Sequence, residues 1–491
     1  MGANAHGTVQ EWDLVILGAG PGGYVAAIRA AQLGMRVALV EKDRLGGLCL
    51  NRGCIPTKAM VKSAEVLLTA KKAETFGVRV EGAAVDFPRV VARRQEVVDG
   101  LVHGLEQLMR SNGVQVFPGH GAVLRDGTVE VMPAGAAGSG GEQERVALRG
   151  RRLILATGSQ AAHLPIPGAD LPGVVDSDGL LALDRVPERL VIIGGGIVGV
   201  EFASIFHAFG SKVTILELLP SLLPVADQEI SRRLATSFRR AGIEARTGVR
   251  VEAIEAQPGQ TPFGPPKQVH FTDGQDRPGT AEADVVLVAV GRRPAYTGFD
   301  PGELGIEVTR AGIKVDDTMQ TTRPGVYAIG DVNGLSPLAH AASAQGLLAV
   351  EHAAGRKVRP WGTSPVPSAV FTFPEVAWAG LTEEAAQAAG IPVRIGRFLY
   401  GALGRAHVEG EPEGVVKILA RAEPPDEGEV VGLHIIGRGA CELIHEGVLA
   451  MRFGATAEEL AEAIHAHPTL SEAVGEAAHA LVGLPIHMAR R

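Results

Sequence analysis

A strand, a glycine-rich turn and a helix follow one another twice along this chain. The glycines that define the two copies are Gly18, Gly20 and Gly23 in the first, and Gly194, Gly196 and Gly199 in the second. The first glycine allows a tight turn, the second lets the backbone approach a pyrophosphate, and the third lets helix and strand pack closely. Because each glycine turn lies between a predicted strand and a predicted helix, the two copies predict two dinucleotide-binding βαβ units. They therefore predict an α/β fold with two Rossmann-like domains.

Each copy closes with an acidic residue at the end of its second strand. Glu41 follows the apolar segment 37–40, Glu217 follows 213–216, and each lies eighteen residues after the last glycine of its copy. A carboxylate at this place binds ribose hydroxyls. No arginine follows in the segment 218–220 to hold a 2′-phosphate, so the second unit is predicted to bind NAD rather than NADP.

Length and charge narrow the classes of function. With 491 residues the chain is long enough for about three domains. A net charge of -8 does not favour binding to nucleic acid, and it argues against binding to an anionic membrane surface. The longest apolar stretch, 190–206, is glycine-rich and interrupted by Glu201, so we expect no membrane span. The N-terminus has no signal-peptide pattern, which favours a cytoplasmic location.

Two of the three cysteines, Cys49 and Cys54, lie shortly after the first glycine turn. In a reducing compartment a close pair is more often catalytic or metal-binding than structural. Residues five apart on an ideal helix are about 7.5 Å apart along its axis, so a disulfide between them requires a distorted helix start, for which Gly53 supplies freedom. A helix N-terminus and Lys58 would lower a thiol pKa. This placement predicts a disulfide that exchanges electrons with a flavin.

The cysteine pair and the late histidines also fit other interpretations. The two cysteines could be buried structural thiols, or could form a zinc site with His465 and His467. His467 precedes Glu472 by five residues across a proline, and such a pair can be a base with the carboxylate that orients it. It could also be a surface histidine beside an acid.

Six segments together resemble the pyridine nucleotide-disulfide oxidoreductase family, from Gly18 to about Glu476. They are GGLCLNRGCIPTK at 46–58, ATGS at 156–159, GGGIVGVE at 194–201, AIGDV at 328–332, LAH at 338–340 and HAHPTLSE at 465–472. The resemblance implies an FAD-binding domain at 1–162 continued at 291–361, an NAD-binding domain at 163–290, and a C-terminal α+β dimerisation domain at 362–491.

The resemblance also implies a role for each motif residue. The catalytic set would be Cys49 as the thiol that meets substrate, Cys54 as the thiol beside the flavin, Lys58 near the flavin and paired with Glu201, and His467 with Glu472 acting on the other subunit. Contacts to FAD would come from Gly18, Gly20, Gly23, Glu41, Lys42, Gly47, Lys58, Gly121, Gly158, Asp331, Pro337, Leu338, Ala339 and His340. Contacts to NAD would come from Gly194, Gly196, Gly199, Glu201, Glu217, Val251 and Gly291. No metal is expected.

Within this family the motifs are most similar to those of homodimeric enzymes that oxidise protein-bound dihydrolipoyl groups with NAD+. Such enzymes work with the lipoyl domains and the E2 acyltransferase core of 2-oxo acid dehydrogenase complexes. Glutathione reductases should have basic residues after the second glycine turn, and mercuric reductases a further cysteine pair near the C-terminus. A role mainly as a docking subunit is a third alternative. The chain departs from the common pattern at Leu48, Arg52 and Ala295, where Thr, Val and Asn are usual.

Overall fold

A computed structural model describes residues 9–133, 145–362, 365–483 and 485–488. The strands are β1 (Gln10–Leu17), β2 (Val37–Glu41), β3 (Gln115–Val123), β4 (Val129–Pro133), β5 (Val146–Leu155), β6 (Ser159–Ala161), β7 (Val174–Val175), β8 (Arg189–Ile193), β9 (Lys212–Glu217), β10 (Glu244–Thr247), β11 (Val249–Ala256), β12 (Lys267–Asp273), β13 (Pro278–Ala283), β14 (Val285–Val288), β15 (Arg292–Pro294), β16 (Val326–Ala328), β17 (Ser368–Val370), β18 (Val376–Gly380), β19 (Val393–Leu399), β20 (Val415–Arg421) and β21 (Val430–Ile436).

The α-helices are α1 (Pro21–Gln32), α2 (Gly47–Arg52), α3 (Cys54–Lys71), α4 (Phe87–Ser111), α5 (Ser177–Leu181), α6 (Ile197–Phe209), α7 (Gln228–Ala241), α8 (Ala339–Ala353), α9 (Glu383–Ala388), α10 (Gly404–Val408), α11 (Ala440–Phe453), α12 (Ala457–Glu462) and α13 (Glu472–Val482). Within the described ranges, short 3-10 helices span Ala73–Phe76, Gly330–Asn333 and Tyr400–Ala402. No described helix has both the length and the apolar character that crossing a membrane requires.

The first of two compact units comprises Met1–Ala59, Arg89–Ala162 and Gly291–Thr363. Its main sheet pairs β2, β1, β5 and β16 in parallel, with β3 parallel to β2 and β4 antiparallel to β3 and β5. The buried segments 14–17 of β1, 37–40 of β2 and 153–155 of β5 are continuous apolar runs because both faces of the sheet are covered there. Helix α1 joins the parallel strands β1 and β2, as the first fingerprint predicts.

The second unit comprises Met60–Pro88, His163–Val290 and Ser364–Arg491. One sheet is fully parallel in the order β10-β9-β8-β14-β7, and α6 connects β8 to β9 as the second fingerprint predicts. Strands β11, β12 and β13 form a separate antiparallel sheet. Helix α7 is capped by Asp227, which accepts a hydrogen bond from the Glu229 N–H, and ends at Gly242 in the left-handed region (φ = +97°).

The C-terminal part of this unit has a different architecture. Its antiparallel sheet has the order β17-β18-β21-β20-β19, and α11, α12 and α13 pack on it around an apolar core. An antiparallel sheet covered by helices is an α+β arrangement. The predicted α/β class with a C-terminal α+β part is therefore confirmed, whereas the four residue ranges assigned to domains stay predictions.

Candidate active site

The first glycine turn, residues 18–23, leaves an open space at the N-terminus of α1. Gly18 has φ = +102°, and a Cβ there would lie 2.3 Å from the carbonyl oxygen of Ala156, so glycine is required. A Cβ at Gly23 would lie 1.9 Å from the Gly18 oxygen, whereas one at Gly20 would meet no heavy atom within 4 Å. Because the first N–H groups of a helix have no partner within it, this open space suits a phosphate.

Glu41, at the end of β2, is fixed beside this turn by two backbone N–H groups. Its Oε2 accepts from the N–H of Ala19 at 2.7 Å, and its Oε1 accepts from the N–H of Asp43 at 2.9 Å. Each oxygen has a further lone pair for a ribose hydroxyl. A cavity of about 420 Å³ adjoins Glu41, lined by Asp43, Arg44, Leu45, Val102, Glu106, Met109, Arg110, Val114, Gln115, Val116 and Pro118. Its position and size fit the adenosine half of a dinucleotide.

Two further residues predicted to contact FAD are Lys42, which is exposed, and Gly121, which packs against apolar side chains. Lys42 follows Glu41 directly and is exposed. Gly121 lies in β3, where a Cβ would come within 2.6 Å of the Leu17 side chain and 3.0 Å of the Val40 side chain. The structure thus gives Gly121 a packing reason to be glycine, and its contact with an adenine stays a prediction.

Helix α8 brings residues 337–340 to the same end of the sheet as the first glycine turn. Pro337 and Leu338 lead into α8, which packs against α1 so closely that a Cβ at Gly22 would lie 3.0 Å from the oxygen of Ala342. Ser343 Oγ donates to the carbonyl of Pro21 at 3.3 Å. The N-terminal turns of two helices, each with a favourable dipole for an anion, therefore lie side by side.

Asp331 lies in the 3-10 helix Gly330–Asn333 and accepts a hydrogen bond from Ser159 Oγ. Arg292 donates through Nε to the same hydroxyl at 2.7 Å and through Nη2 to the Ser159 carbonyl at 2.8 Å. The adjacent Gly158 has φ = +71° and open space where a Cβ would be. Sequence reasoning gave Arg292 no role; its only signal was the GRRP segment after a buried strand.

Two side-chain amides in this unit each have one buried atom without a partner among the described residues. Gln345 accepts from the Gly330 N–H at 2.7 Å, while its Nε2 is unbonded. Asn51 donates to the Leu45 and Gly47 carbonyls, while its Oδ1 is unbonded. A buried polar atom left unpaired costs about 1–3 kcal/mol, so a bound group that supplies the missing partners is expected here. These orphaned atoms, with the open space at Gly20, fit a bound flavin dinucleotide.

Cys49 and Cys54 form a disulfide, with their Cα atoms 4.7 Å apart. The short Cα separation is possible because the helix breaks at Gly53 (φ -135°, ψ -105°), between the end of α2 and the start of α3 at Cys54. The predicted distortion of the helix start is confirmed. Lys58 lies on α3 four residues after Cys54, and therefore on the same helix face.

The disulfide segment packs directly on the first glycine turn. The N–H of Gly46 donates to the carbonyl of Ala19 at 2.8 Å, and a Cβ at Gly47 (φ = +58°) would lie 2.7 Å from the Cα of Gly20. Glycine is therefore required at position 47 for backbone to meet backbone. This contact places the disulfide helix against the predicted pyrophosphate site.

The second glycine turn, residues 194–199, repeats the first in detail. Gly194 has φ = +113°, and a Cβ there would lie 2.4 Å from the Ala289 oxygen; one at Gly199 would lie 2.0 Å from the Gly194 oxygen. Gly196 faces open space within 4 Å. Glu217 is buried and accepts from the N–H groups of Gly195 at 2.5 Å and Leu219 at 2.7 Å.

The other residues predicted for NAD lie in separate places. Glu201 is buried in α6, and its Oε1 accepts from the N–H of Phe371 at 2.9 Å. Val251 lies in β11, opposite Phe271 of β12. Gly291 begins the last segment of the first unit, with φ = +110° and open space at its Cβ position. Their contacts with NAD stay predictions.

His467 and Glu472 form a hydrogen-bonded pair at the start of α13. His467 Nδ1 lies 2.8 Å from Glu472 Oε1, and Glu472 Oε2 accepts from the N–H of Thr469 at 2.8 Å. Burial by itself would raise the pKa of Glu472, but these hydrogen bonds outweigh it and lower the pKa. The His467 side chain is 77% exposed, so Nε2 can reach an external proton donor. A carboxylate that fixes the tautomer leaves Nε2 as the base.

His465 has a different partner, which sequence reasoning missed. Its Nε2 lies 2.7 Å from Glu446 Oε1 and its Nδ1 lies 3.0 Å from the carbonyl of Ala463. Burial would lower the pKa of His465, yet the hydrogen bond with Glu446, the largest influence, raises it. Glu446 lies nineteen residues earlier, on α11, so no local pattern signalled the contact. The two histidines thus pair with carboxylates and the two cysteines with each other, an arrangement unlike the zinc site considered from the sequence.

Comparison with known protein families gives two matches that together span most of the chain. Residues 12–346 match the family model described as "Pyridine nucleotide-disulphide oxidoreductase". Residues 366–478 match "Pyridine nucleotide-disulphide oxidoreductase, dimerisation domain". The C-terminal α+β part therefore belongs to a family of dimerisation domains.

Curated relatives match over nearly the full length of the chain. A "Dihydrolipoyl dehydrogenase" of Bacillus subtilis is 41% identical over 97% of this chain and 99% of its own. One of Chlorobaculum tepidum is 40% identical over 95% of this chain and 96% of its own. "Dihydrolipoyl dehydrogenase 2, mitochondrial" of Arabidopsis thaliana is 39% identical over 97% of this chain and 91% of its own.

Solved structures agree with these matches. LpdA from Mycobacterium tuberculosis has a TM-score of 0.85 at 27% identity, covering 96% of this chain and 99% of that one. The Cu(II) complex of the HOCl-induced flavoprotein disulfide reductase RclA from Escherichia coli has a TM-score of 0.82 at 29% identity, covering 96% and 99%. Together with the disulfide and the two glycine turns, these findings establish that the chain belongs to the pyridine nucleotide-disulfide oxidoreductase family.

Proposed function

We propose that this chain is a dihydrolipoyl dehydrogenase, which oxidises protein-bound dihydrolipoamide to lipoamide and reduces NAD+ to NADH. The observation that carries the proposal is the Cys49–Cys54 disulfide packed on the first glycine turn. That contact joins a dithiol/disulfide couple to a dinucleotide site. The full-length similarity to dihydrolipoyl dehydrogenases, at 41% identity in one case, supports the choice of substrate.

The thiol chemistry needs one base and two sulfurs. His467 Nε2 accepts the proton of one substrate thiol, and the resulting thiolate attacks Cys49, breaking the Cys49–Cys54 bond with Cys54 leaving as thiolate. The second substrate thiol attacks the substrate sulfur of the mixed disulfide, closes the lipoyl ring and releases Cys49, which takes up the proton that this second thiol loses. The substrate has lost two electrons, and the cysteine pair has gained them.

The proposal includes both cofactors. Bound FAD would supply the acceptor for the two electrons of the cysteine pair and the hydride donor for NAD+. The first glycine turn, Glu41 and the α8 N-terminus would hold FAD, and Lys42, Gly47, Lys58, Gly121, Gly158 and Asp331 are proposed as further contacts. The second glycine turn and Glu217 would hold NAD, and Glu201, Val251 and Gly291 are proposed to complete that site.

The proposed working form is a homodimer in the cytoplasm, serving the lipoyl domains and the E2 acyltransferase core of a 2-oxo acid dehydrogenase complex. Residues 366–478 match a dimerisation domain, which supports the dimer. We propose that His467 and Glu472 of one subunit act on the disulfide of the other, so that a monomer would be inactive. Activity of the purified protein without any acyltransferase core would separate the enzymatic role from a docking role.

The first experiment adds dihydrolipoamide anaerobically to the purified yellow protein and records visible spectra before and after NAD+. We expect a long-wavelength band on reduction, discharged by NAD+ with formation of NADH. If dihydrolipoamide has no effect while NADH reduces the flavin, the family assignment holds but the substrate is a different disulfide, such as those of glutathione-type or mercuric-type reductases.

A cysteine variant tests the assignment of the two sulfurs. Cys54→Ser should retain FAD but lose the long-wavelength absorption, because the thiolate beside the flavin is missing. Cys49→Ser is the matched control, which should keep Cys54 as a free thiolate and show the band without reduction. Unchanged absorption in Cys54→Ser would contradict the assignment.

A further inference from the structure

An ion pair ties the disulfide helix to the loop that follows Glu41. Arg52, the last residue of α2, places its Nη2 3.1 Å from Asp43 Oδ2. The Asp43 backbone N–H donates to Glu41, so the same residue contacts the proposed ribose-binding carboxylate. Asn51 donates from the same helix to the carbonyls of Leu45 and Gly47. Helix α2 is therefore attached to this loop through two consecutive side chains.

The position of Arg52 on α2 brings its charge near the disulfide. Arg52 follows Cys49 by three residues on one helix, so their side chains emerge from the same face, with Cβ atoms about 5–6 Å apart. Cys54 is bonded to Cys49, so a charge near one sulfur is near both. Asp43 supplies a negative charge to the same neighbourhood.

Solvent only partly screens this pair, because the side chains of Arg52 and Asp43 are 51% and 49% exposed. At such exposure an ion pair contributes little to stability. The two charges can still change the redox equilibrium of the disulfide. The oxidised disulfide is neutral whereas the reduced pair carries a thiolate, so Arg52 and Asp43 interact with a sulfur charge only in the reduced state.

We propose that Arg52 and Asp43 tune the redox equilibrium of the Cys49–Cys54 disulfide in opposite directions, Arg52 favouring the reduced pair and Asp43 offsetting it. The proposal rests on the proposed function, in which this disulfide cycles. Reduction breaks the S–S bond with two electrons from a dithiol, which itself becomes a disulfide. It leaves one thiol, with a proton from the donor, and one thiolate, and the second donor proton is released to solvent. Both residues are positioning residues, because they act on the sulfurs through their charge.

The experiment compares Arg52→Val, Asp43→Asn and the double variant as FAD-loaded full-length proteins. Each is equilibrated anaerobically with mixtures of reduced and oxidised dithiothreitol, quenched in acid, unfolded and alkylated. Intact mass then counts thiols: the buried Cys441 gives one label in every sample, and reduction of the pair adds two. This readout uses neither dihydrolipoamide nor NAD+, so it is independent of the proposed activity.

We expect Arg52→Val to shift the equilibrium roughly threefold toward the disulfide and Asp43→Asn to shift it roughly threefold toward the dithiol, as for partly screened charges. The double variant should return close to the unmodified protein, because the net charge is restored. High salt should shrink both shifts. Arg125→Val is the matched control: Arg125 forms a 3.1 Å ion pair with Glu303 elsewhere in the same unit, and its loss should change nothing.

The outcomes separate the inference from the proposed function. Shifts in the same direction for both single variants would mean that the ion pair only shapes the segment, and would overturn the inference. No shift in either variant would also overturn it. A disulfide that dithiothreitol does not reduce in the unmodified protein would instead contradict the proposed function.

Discussion

The two glycine turns hold their acidic residues with the same pattern of hydrogen bonds. Glu41 accepts from the N–H groups of Ala19 and Asp43, and Glu217 accepts from those of Gly195 and Leu219. In each case one N–H comes from within the glycine turn and the other from two residues beyond the acid. A carboxylate held by two backbone donors is fixed in place before any ribose arrives, which lowers the cost of binding.

The segments that follow the two acids are different. After Glu41 the chain is charged, and it reaches the disulfide helix at Gly47 within a few residues. After Glu217 it is apolar, with Leu218 60% and Leu219 46% exposed. It then bends back through Leu223, at φ = +46°, whose N–H donates to the Gly195 carbonyl. The two units thus share the same glycine turn and acidic residue, and they differ in the segment that follows the acid. Only the segment after Glu41 leads to the disulfide helix.

The largest expected effect on cofactor binding comes from replacing the first glycine of each turn with alanine. Gly18→Ala places a Cβ 2.3 Å from the Ala156 oxygen, and Gly194→Ala places one 2.4 Å from the Ala289 oxygen, both at positive φ. Each should cost several kcal/mol, roughly 3 or more, because backbone must move. We expect Gly18→Ala to purify without FAD, and Gly194→Ala to keep FAD but lose NAD+ reduction by more than about a hundredfold.

Flavin absorbance and turnover measure these two results. Gly34→Ala is a control, since Gly34 also has positive φ but its Cβ would meet no heavy atom within 4 Å. Loss of FAD from the Gly194 variant instead would show that the two turns had been assigned to the wrong cofactors.

A smaller effect on activity is expected from a buried ion pair in the second unit, which also contains the second glycine turn. The Asp227 cap of α7 is buried, and Lys417 of β20 donates to its Oδ2 at 2.7 Å. Burial, the largest single influence, opposes ionisation of Asp227, but the hydrogen bond and charge of Lys417, with smaller contributions from His434 and the Glu383 N–H, together lower the pKa. Lys417→Met should lower the free energy of unfolding by about 3–5 kcal/mol, because it leaves a buried charge unpaired. Thermal or urea unfolding measures the loss.

The pH dependence of that loss follows from the direction of the pKa. In the unmodified protein the lowered pKa of Asp227 contributes stability above the unfolded value, about 3.9, and this contribution is lost as pH falls through the folded pKa. In Lys417→Met, burial would raise the pKa, so the deficit should be largest near neutral pH and shrink toward pH 4. A deficit that is constant with pH would mean that lost packing, not charge, causes it. Asp227→Asn combined with Lys417→Met should recover part of the stability.

The smallest expected effect concerns the choice of nicotinamide cofactor. Glu217→Gln keeps one side-chain oxygen, which can accept from only one of the N–H groups of Gly195 and Leu219, and it removes the charge that would repel a 2′-phosphate. We expect kcat/KM for NAD+ to fall about tenfold and the preference over NADP+ to narrow, with FAD content unchanged. Steady-state kinetics with both nucleotides test this. Glu41→Gln should instead weaken FAD and leave the nucleotide preference as it was.

Local sequence was sufficient wherever chemistry and fold depend on neighbouring residues. The glycine turns and their closing acids follow from spacing, because each is made within a few tens of residues, and the placement of Cys49 and Cys54 after the first turn predicted the disulfide that the structure contains. The α+β class of the C-terminal part was predicted through the family resemblance, and the sheet and helices of residues 368–482 confirm it. The Gly/Ala-rich stretch 133–141 predicts a flexible hairpin tip, and all of it after Pro133 lies outside the described part of the chain.

Contacts between distant segments required the tertiary structure. Nothing near His465 in the sequence signals Glu446 on α11, and nothing near Asp227 signals Lys417 on β20. No sequence pattern predicted the packing of Gly121 against Leu17 and Val40 either. Hydrophobic periodicity and glycine spacing are local properties, so the sequence by itself determined the two binding frames and placed two cysteines after the first of them; the tertiary structure decided that these cysteines bond to each other. Which buried charges meet depends on how sheets and helices pack, and only the tertiary structure decided that.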